Sequence, residues 1–186
     1  MYRTGLLLLL KEYQRRYPEE SSVIEALQNF VQEHPSCFER SLKIGHLTGS
    51  AWLVNQAGTH TLLTHHKKLN KWIQPGGHVD GNPNVLEAAL REAEEESGIV
   101  GLLPVSEDIF DIDIHAIPPH NGEAEHSHYD IRFAVHTTDS EAFQLSDESH
   151  DLAWVDLQKV QQFSQEESML RMVRKWLKRI ADKEMP

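Results

Sequence analysis

The sequence predicts an α+β or α/β sandwich, with residues 1–42 as a helical N-terminal extension and 43–186 as the main domain with its own C-terminal helix. Three observations predict it. Apolar residues recur at three-to-four spacing in the first forty residues, around Leu86 to Ala93 and near the C-terminus. Apolar and polar residues alternate strictly around 110–115 and 128–135. The resulting order is helices, strands, helix, strands, helix. At 186 residues, 39% of them apolar and four of them tryptophan, the chain can bury one core of ordinary size.

Each element has its own signal. Leu6, Leu9, Leu10 and Tyr13 make one helical stripe, and Val23, Leu27, Phe30 and Val31 a second. Pro18 separates them and His34-Pro35 ends the second. No chemistry is evident there, and a packing or dimer surface is expected. From His46 the texture turns to β, with residues 50–55 and 59–65 flanking Gln56-Ala57-Gly58 as a hairpin. Trp72-Ile73-Gln74-Pro75-Gly76-Gly77 is expected to interrupt regular structure, because proline lacks a donor and paired glycines invite unusual dihedrals. Asn82 as N-cap and Pro83 at the first helical position open the clearest helix, and Gly98 stops it. Phe110, Ile112 and Ile114 face one way along the next strand, with Asp111, Asp113 and His115 opposite. Tyr129, Ile131, Phe133 and Val135 alternate likewise with His128, Asp130, Arg132 and Ala134, so both strands read as half-buried. Residues 117–125 between them hold Pro118-Pro119 and Asn121-Gly122 and form a loop. Residues 152–157 give a last strand. A capping box at Ser164 and Glu167 starts a final helix that buries Leu170, Val173, Trp176, Leu177 and Ile180.

A formal charge of -11 disfavours a nucleic-acid backbone or an anionic membrane as principal partner. A phosphorylated small molecule remains compatible if a divalent cation stands between the two sets of negative charge. The single cysteine, Cys37, excludes an internal disulfide framework, and a reducing cytosol is the expected compartment. Residues 6–10 are apolar but are followed at once by Lys11 and Glu12, so the run is too short for a membrane span and lacks the marks of a signal peptide.

The chemistry concentrates in Arg91-Glu92-Ala93-Glu94-Glu95-Glu96-Ser97-Gly98. At about 100° per residue, Glu92, Glu95 and Glu96 share one arc at the edge of the apolar stripe, while Glu87 and Glu94 project away into solvent. Like charges at this spacing destabilise a helix, and its C-terminal end is unfavourable for anions. Bound cations would offset both penalties, and hard oxygen ligands select Mg²⁺, Mn²⁺ or Ca²⁺. A solvated acidic face is the competing reading. Against it stand Arg91, four residues before Glu95 and able to orient it, and Gly76-Gly77, which would let backbone amides approach an anionic ligand.

Residues 77–99 resemble the Nudix box, Gly-x5-Glu-x7-Arg-Glu-apolar-x-Glu-Glu-x-Gly-apolar. With its first glycine on Gly77, the box places Arg91, Glu92, Ala93, Glu95, Glu96, Gly98 and Ile99 without a gap. The early box glutamate falls on Pro83, and Asp80 on the same loop is the candidate replacement for anchoring Arg91. The resemblance spans roughly 46–160 and implies the Nudix fold, an α/β/α sandwich of the α+β class. It also implies Mg²⁺-dependent cleavage (Mn²⁺ as substitute) of a phosphoanhydride bond in a nucleoside-diphosphate-linked or related molecule. Glu92 and Glu96 would be principal metal ligands, Glu95 a further one, and Arg91 their orienting partner. Glu92 or a later carboxylate, Glu123, Glu125 or Glu148, would take the proton of the attacking water.

The histidines leave several readings open. His126 and His128 share a strand face with Asp130 and Arg132, and His115 and His120 lie nearby in sequence. A transition-metal site, a substrate-contacting wall including His126, His128 and Arg132, and an exposed polar face all fit. His65-His66 and His78 flank the Trp72 to Gly77 segment, where bordering the site and lying on the surface both fit. Among functions, retention of all three box glutamates favours an enzyme over a non-catalytic nucleotide-binding module. An isomerase on this fold would want a cysteine in the cleft, and Cys37 lies in the helical extension.

Overall fold

The computed structural model describes residues 2–119, 122 and 124–184; His120, Asn121 and Glu123 of the expected 117–125 loop lie outside the described residues. Helices α1 (Tyr2–Arg16) and α2 (Ser21–Glu33) flank a 3₁₀ turn at Pro18–Glu20. Pro18 opens that turn because its fixed φ suits a first helical position and its missing amide cannot extend α1. Leu6, Leu10 and Tyr13 are buried on α1, and Ile24, Leu27, Phe30 and Val31 on α2, where Ile24 takes the place expected of Val23.

The strands are β1 (Gly45–Val54), β2 (His60–His66), β3 (Lys71–Ile73), β4 (Gly76–His78), β5 (Leu103–Pro104), β6 (Asp111–Ile117), β7 (His126–His136) and β8 (Ser149–Asp156). Together they form one branched mixed sheet. In it β1 runs parallel to β7 over its whole length and antiparallel to β4, while β6 lies antiparallel along the other edge of β7. Helix α3 (Val85–Ser97) joins β4 to β5, and α4 (Glu167–Glu184) closes the chain.

Strand parity divides the interior into two cores. Leu47, Ala51 and Leu53 of β1, with Ile131, Phe133 and Val135 of β7, face α1, α2 and α3. Trp52, Val54 and Ala134 face the opposite way, against Met169, Met172 and Trp176 of α4. The architecture is therefore α/β/α, and α3 approaches closely because Gly49 leaves space: a Cβ there would meet the Val85 carbonyl oxygen at 2.9 Å. Among the described residues no helix is long and apolar enough to cross a membrane.

Several local expectations are corrected. Gly76-Gly77 does not break structure: both lie in β4, paired with Ser50 and Gly49 of β1, and neither has a positive φ. The N-cap of α3 is Asn84, whose side chain accepts the Glu87 amide at 3.3 Å; Asn82 instead accepts the Asn84 amide in the preceding turn. Phe110 departs from the alternation, packing in the α4 core between Trp52 and Trp176 while Ile112 faces the other core. Helix α4 starts at Glu167, whose carboxylate accepts Arg174 rather than turning back to Ser164. Met169 and Met172 take its buried face, whereas Leu177 is 43% exposed. The polar side of β6 and β7 is only partly wet: Arg171 and Lys175 of α4 reach down to Asp111, and Asp130 and Arg132 are buried as well.

Candidate active site

On α3 the small residues Ala88, Ala89 and Ala93 pack against the sheet. This brings the flanking carboxylates to the edge of β4. Glu96 is only 6% exposed; one oxygen accepts the Gly76 amide at 3.1 Å, and the other is buried with no partner among the described residues. Burial raises its carboxyl to about 8 against the opposing pull of that amide, with Glu92 and Glu148 adding to the rise. Glu92 is also mostly enclosed and raised by burial, although the Arg91 guanidinium opposes this. Glu95 is the exposed member of the group. Three carboxylates thus converge where at least two are poorly solvated.

Arg91 holds the group together. It pairs with Glu92 at 2.8 Å and Glu95 at 3.1 Å, and donates to the His78 carbonyl at 2.9 Å. That carbonyl is the anchor left open by Pro83. Asp80 does not bond Arg91, because a bidentate pair with Arg40 engages it. Glu94, expected to be merely solvated, accepts the amides of Gly101 and Leu102 and ties down the loop after α3.

Gly76 and Gly77 matter through close approach rather than dihedral freedom. A Cβ on Gly76 would lie 2.7 Å from the Ser50 Cα, and one on Gly77 would lie 2.4 Å from a Glu92 oxygen. The two positions therefore predict different losses. Gly77→Ala meets only the end of a flexible side chain, so it should fold normally yet lower turnover by displacing Glu92. Gly76→Ala meets rigid backbone and should lower the thermal midpoint as well. Melting curves beside rate measurements separate the two, and equal behaviour of both variants would contradict the assignment.

Of the other candidates, Arg132 does not line an open wall. It is 3% exposed and paired with Asp111, Asp113 and Asp130, which makes it a structural cation. Asp130 also accepts Thr48 and Ser50 hydroxyls at 2.9 and 2.8 Å. His126 and His128 do share a face, and they meet His46 and His78, with ring centroids 4.8–5.0 Å from His46. Crowding among imidazoles adds to burial, the larger cause, in lowering His46 to about 4 and His128 to about 2. The place of His46 was missed in the sequence. Its signal was parity, since His46, Thr48 and Ser50 are polar on a strand whose other face is Leu47, Gly49 and Ala51. Among the later carboxylates, Glu148 is exposed and close enough for its charge to act on both Glu92 and Glu96. Glu125 is exposed, and Glu123 lies outside the described residues.

The domain and its fold have counterparts in known proteins. The NUDIX domain model matches residues 46–176, and the chain belongs to that family. Among solved structures, a Caenorhabditis elegans Ap4A hydrolase in a binary complex superposes with a TM-score of 0.59 at 22% identity, over 73% of this chain and 98% of the other. A NUDIX-family hydrolase from Clostridium perfringens gives 0.54 at 26% identity, over 70% and 95%. An m7GpppN-mRNA hydrolase of Xenopus laevis is 43% identical over 56 residues, 27% of this chain; the chain matches only 19% of that relative's length.

Proposed function

We propose that the chain hydrolyses a phosphoanhydride bond in a nucleoside-diphosphate-linked or related small molecule, with Mg²⁺, or Mn²⁺ in its place, held by Glu92, Glu95 and Glu96. Glu96 carries the reading. A carboxylate this enclosed, with one oxygen lacking a partner among the described residues and Glu92 at its side, is costly unless a cation joins it. The donor set is all oxygen, which fits a hard divalent ion. When bound, that ion neutralises phosphate charge and acidifies the attacking water.

The remaining work belongs to the protein. The Gly76 amide fixes one Glu96 oxygen, and Arg91 fixes Glu92 and Glu95 against the β4 backbone. Such positioning dominates phosphoryl transfer, where little covalent chemistry falls to side chains. Glu148 is the proposed proton acceptor, because it is exposed and its charge bears on both Glu92 and Glu96. Glu148→Gln should then lower kcat by about 10²–10⁴ while Mg²⁺ affinity by calorimetry stays within a few-fold. Unchanged kcat would remove Glu148 from the mechanism. The cytosol is the compartment proposed on the strength of a single buried cysteine.

The deciding experiment is a panel of ADP-ribose, dinucleoside polyphosphates, NADH, nucleoside triphosphates and non-nucleotide diphosphates with Mg²⁺ or Mn²⁺, read as phosphate released after phosphatase coupling. Turnover of one class that disappears with chelator supports the reading. Binding without turnover of any member would make the chain a nucleotide-binding module instead.

A further inference from the structure

The carboxylate group is not the only set of ligand atoms gathered in the sheet. His46 begins the buried polar parity of β1 that Thr48 and Ser50 continue, and His128 stands opposite it in the parallel β1–β7 ladder. His78 ends β4, directly across from Thr48, two residues along the same face of β1. One imidazole from each of three adjacent strands therefore projects from the same sheet face, and one nitrogen of each lies within 4.8 Å of the other two.

His46 is the telling member. It is 3% exposed, and neither ring nitrogen meets a hydrogen-bond partner among the described residues; the Leu42 carbonyl is nearby but outside bonding geometry. The Nε2 of His128 is likewise buried and unpartnered. Leaving such groups unsatisfied forfeits their solvation with nothing in return, and native structures rarely keep them without an ion or water. Ordinary hydrogen-bonded core histidines do not look like this.

We propose that His46, His78 and His128 bind a transition-metal ion, Zn²⁺ in the first instance, at a site separate from the carboxylates. Imidazole suits Zn²⁺, Co²⁺ or Ni²⁺ rather than Mg²⁺, so the two sites differ in the cation they select. A zinc–nitrogen distance of about 2.0–2.1 Å sets ligand nitrogens about 3.4 Å apart in a tetrahedral site, which small ring rotations reach from the observed spacing. Three protein ligands leave a fourth position for water or an oxygen of substrate. The two sites share β4: the His78 side chain faces the imidazole group while its carbonyl holds Arg91, and the Gly76 amide holds Glu96. Filling the imidazole site would thereby stiffen the strand on which the carboxylates rest.

The test uses the full chain stripped of metal and titrated with Zn²⁺ and Co²⁺ in excess Mg²⁺. Expected are about one equivalent bound, an intense tetrahedral Co²⁺ visible spectrum, and at least a hundredfold weaker binding in His46→Ala and in His128→Asn. The Glu92→Gln/Glu96→Gln double variant and His136→Ala should bind as the wild type does. No Zn²⁺ binding by the wild type, a weak octahedral Co²⁺ spectrum, unaltered affinity in both histidine variants, or loss in the glutamate double variant would each overturn the proposal. Should a histidine variant fail to fold by circular dichroism, the wild-type Co²⁺ spectrum and the glutamate variant still decide it.

Discussion

Glu96→Gln is expected to reduce Mg²⁺-dependent turnover by more than about a hundredfold, since even outer-shell partners of metal ligands are worth 10–100-fold. The same change should leave the thermal midpoint of the metal-free protein unchanged or higher. The two expectations have one cause. Glu96 is enclosed against β4 with a single amide donor, and burial pushes its carboxyl up to about 8. Without a cation, the charged form is a liability to the fold; glutamine keeps the acceptor for the Gly76 amide and removes the charge. Glu92→Gln should match it in activity, with a smaller effect on stability because Arg91 already pairs with Glu92. In the wild type, Mg²⁺ should raise the midpoint by mass action, and in Glu96→Gln that increment should shrink. Rates together with melting curves in chelator and in excess Mg²⁺ check both halves. Wild-type-like rates in the two variants would sink the metal assignment.

Residues whose role depends on local spacing were legible in the sequence. The i, i+3 and i+4 relations of Glu92, Glu95 and Glu96 are properties of one helix, and so is the reach of Arg91 to Glu95. Strand alternation likewise gave β7 and most of β6. What escaped was set by pairing between distant segments. Whether Asp111 and Arg132 face water depends on where α4 lies, and nothing within β6 or β7 records that. Gly76 and Gly77 are expected from sequence to take unusual dihedrals and admit an anionic ligand, whereas the groups that crowd them, Ser50 and Glu92, follow from strand register and helix docking rather than from the glycines. His46 joins His128 only because β1 and β7 are parallel neighbours, a contact across more than eighty positions of sequence. The N-terminal helices showed stripes but not their destination, which is the same core face as α3, with Phe30 stacked on Tyr129 of β7.

Asp111 is where that hidden tertiary information has its largest consequence for stability. The carboxylate is fully buried and accepts Arg171 at 2.8 Å through both oxygens, Lys175 at 2.6 Å and Arg132 at 3.1 Å. Lys175 in turn reaches the Tyr13 hydroxyl at 2.5 Å and Glu20 at 2.7 Å. One aspartate therefore connects β6, β7, α4 and the N-terminal helices. Asp111→Asn leaves enclosed cations short of a counter-charge, and breaking a buried pair from one side costs about 3–5 kcal/mol. The urea midpoint at neutral pH should fall accordingly. Acid provides the independent check. Burial alone would raise the Asp111 carboxyl, but the Arg171, Arg132 and Lys175 cations outweigh it and hold the group below its ordinary value of 3.8. The unfolded chain then takes up the proton first as pH falls. Stability from this group is complete above the ordinary value and is lost as pH falls through the depressed folded one. The wild type should lose stability steeply below about pH 4, and the Asn variant, already weakened at neutral pH, should show a shallower acid limb. An unaltered midpoint with an unaltered acid limb would mean that the cations around Asp111 find sufficient partners in Asp113, Asp130 and Glu20 alone.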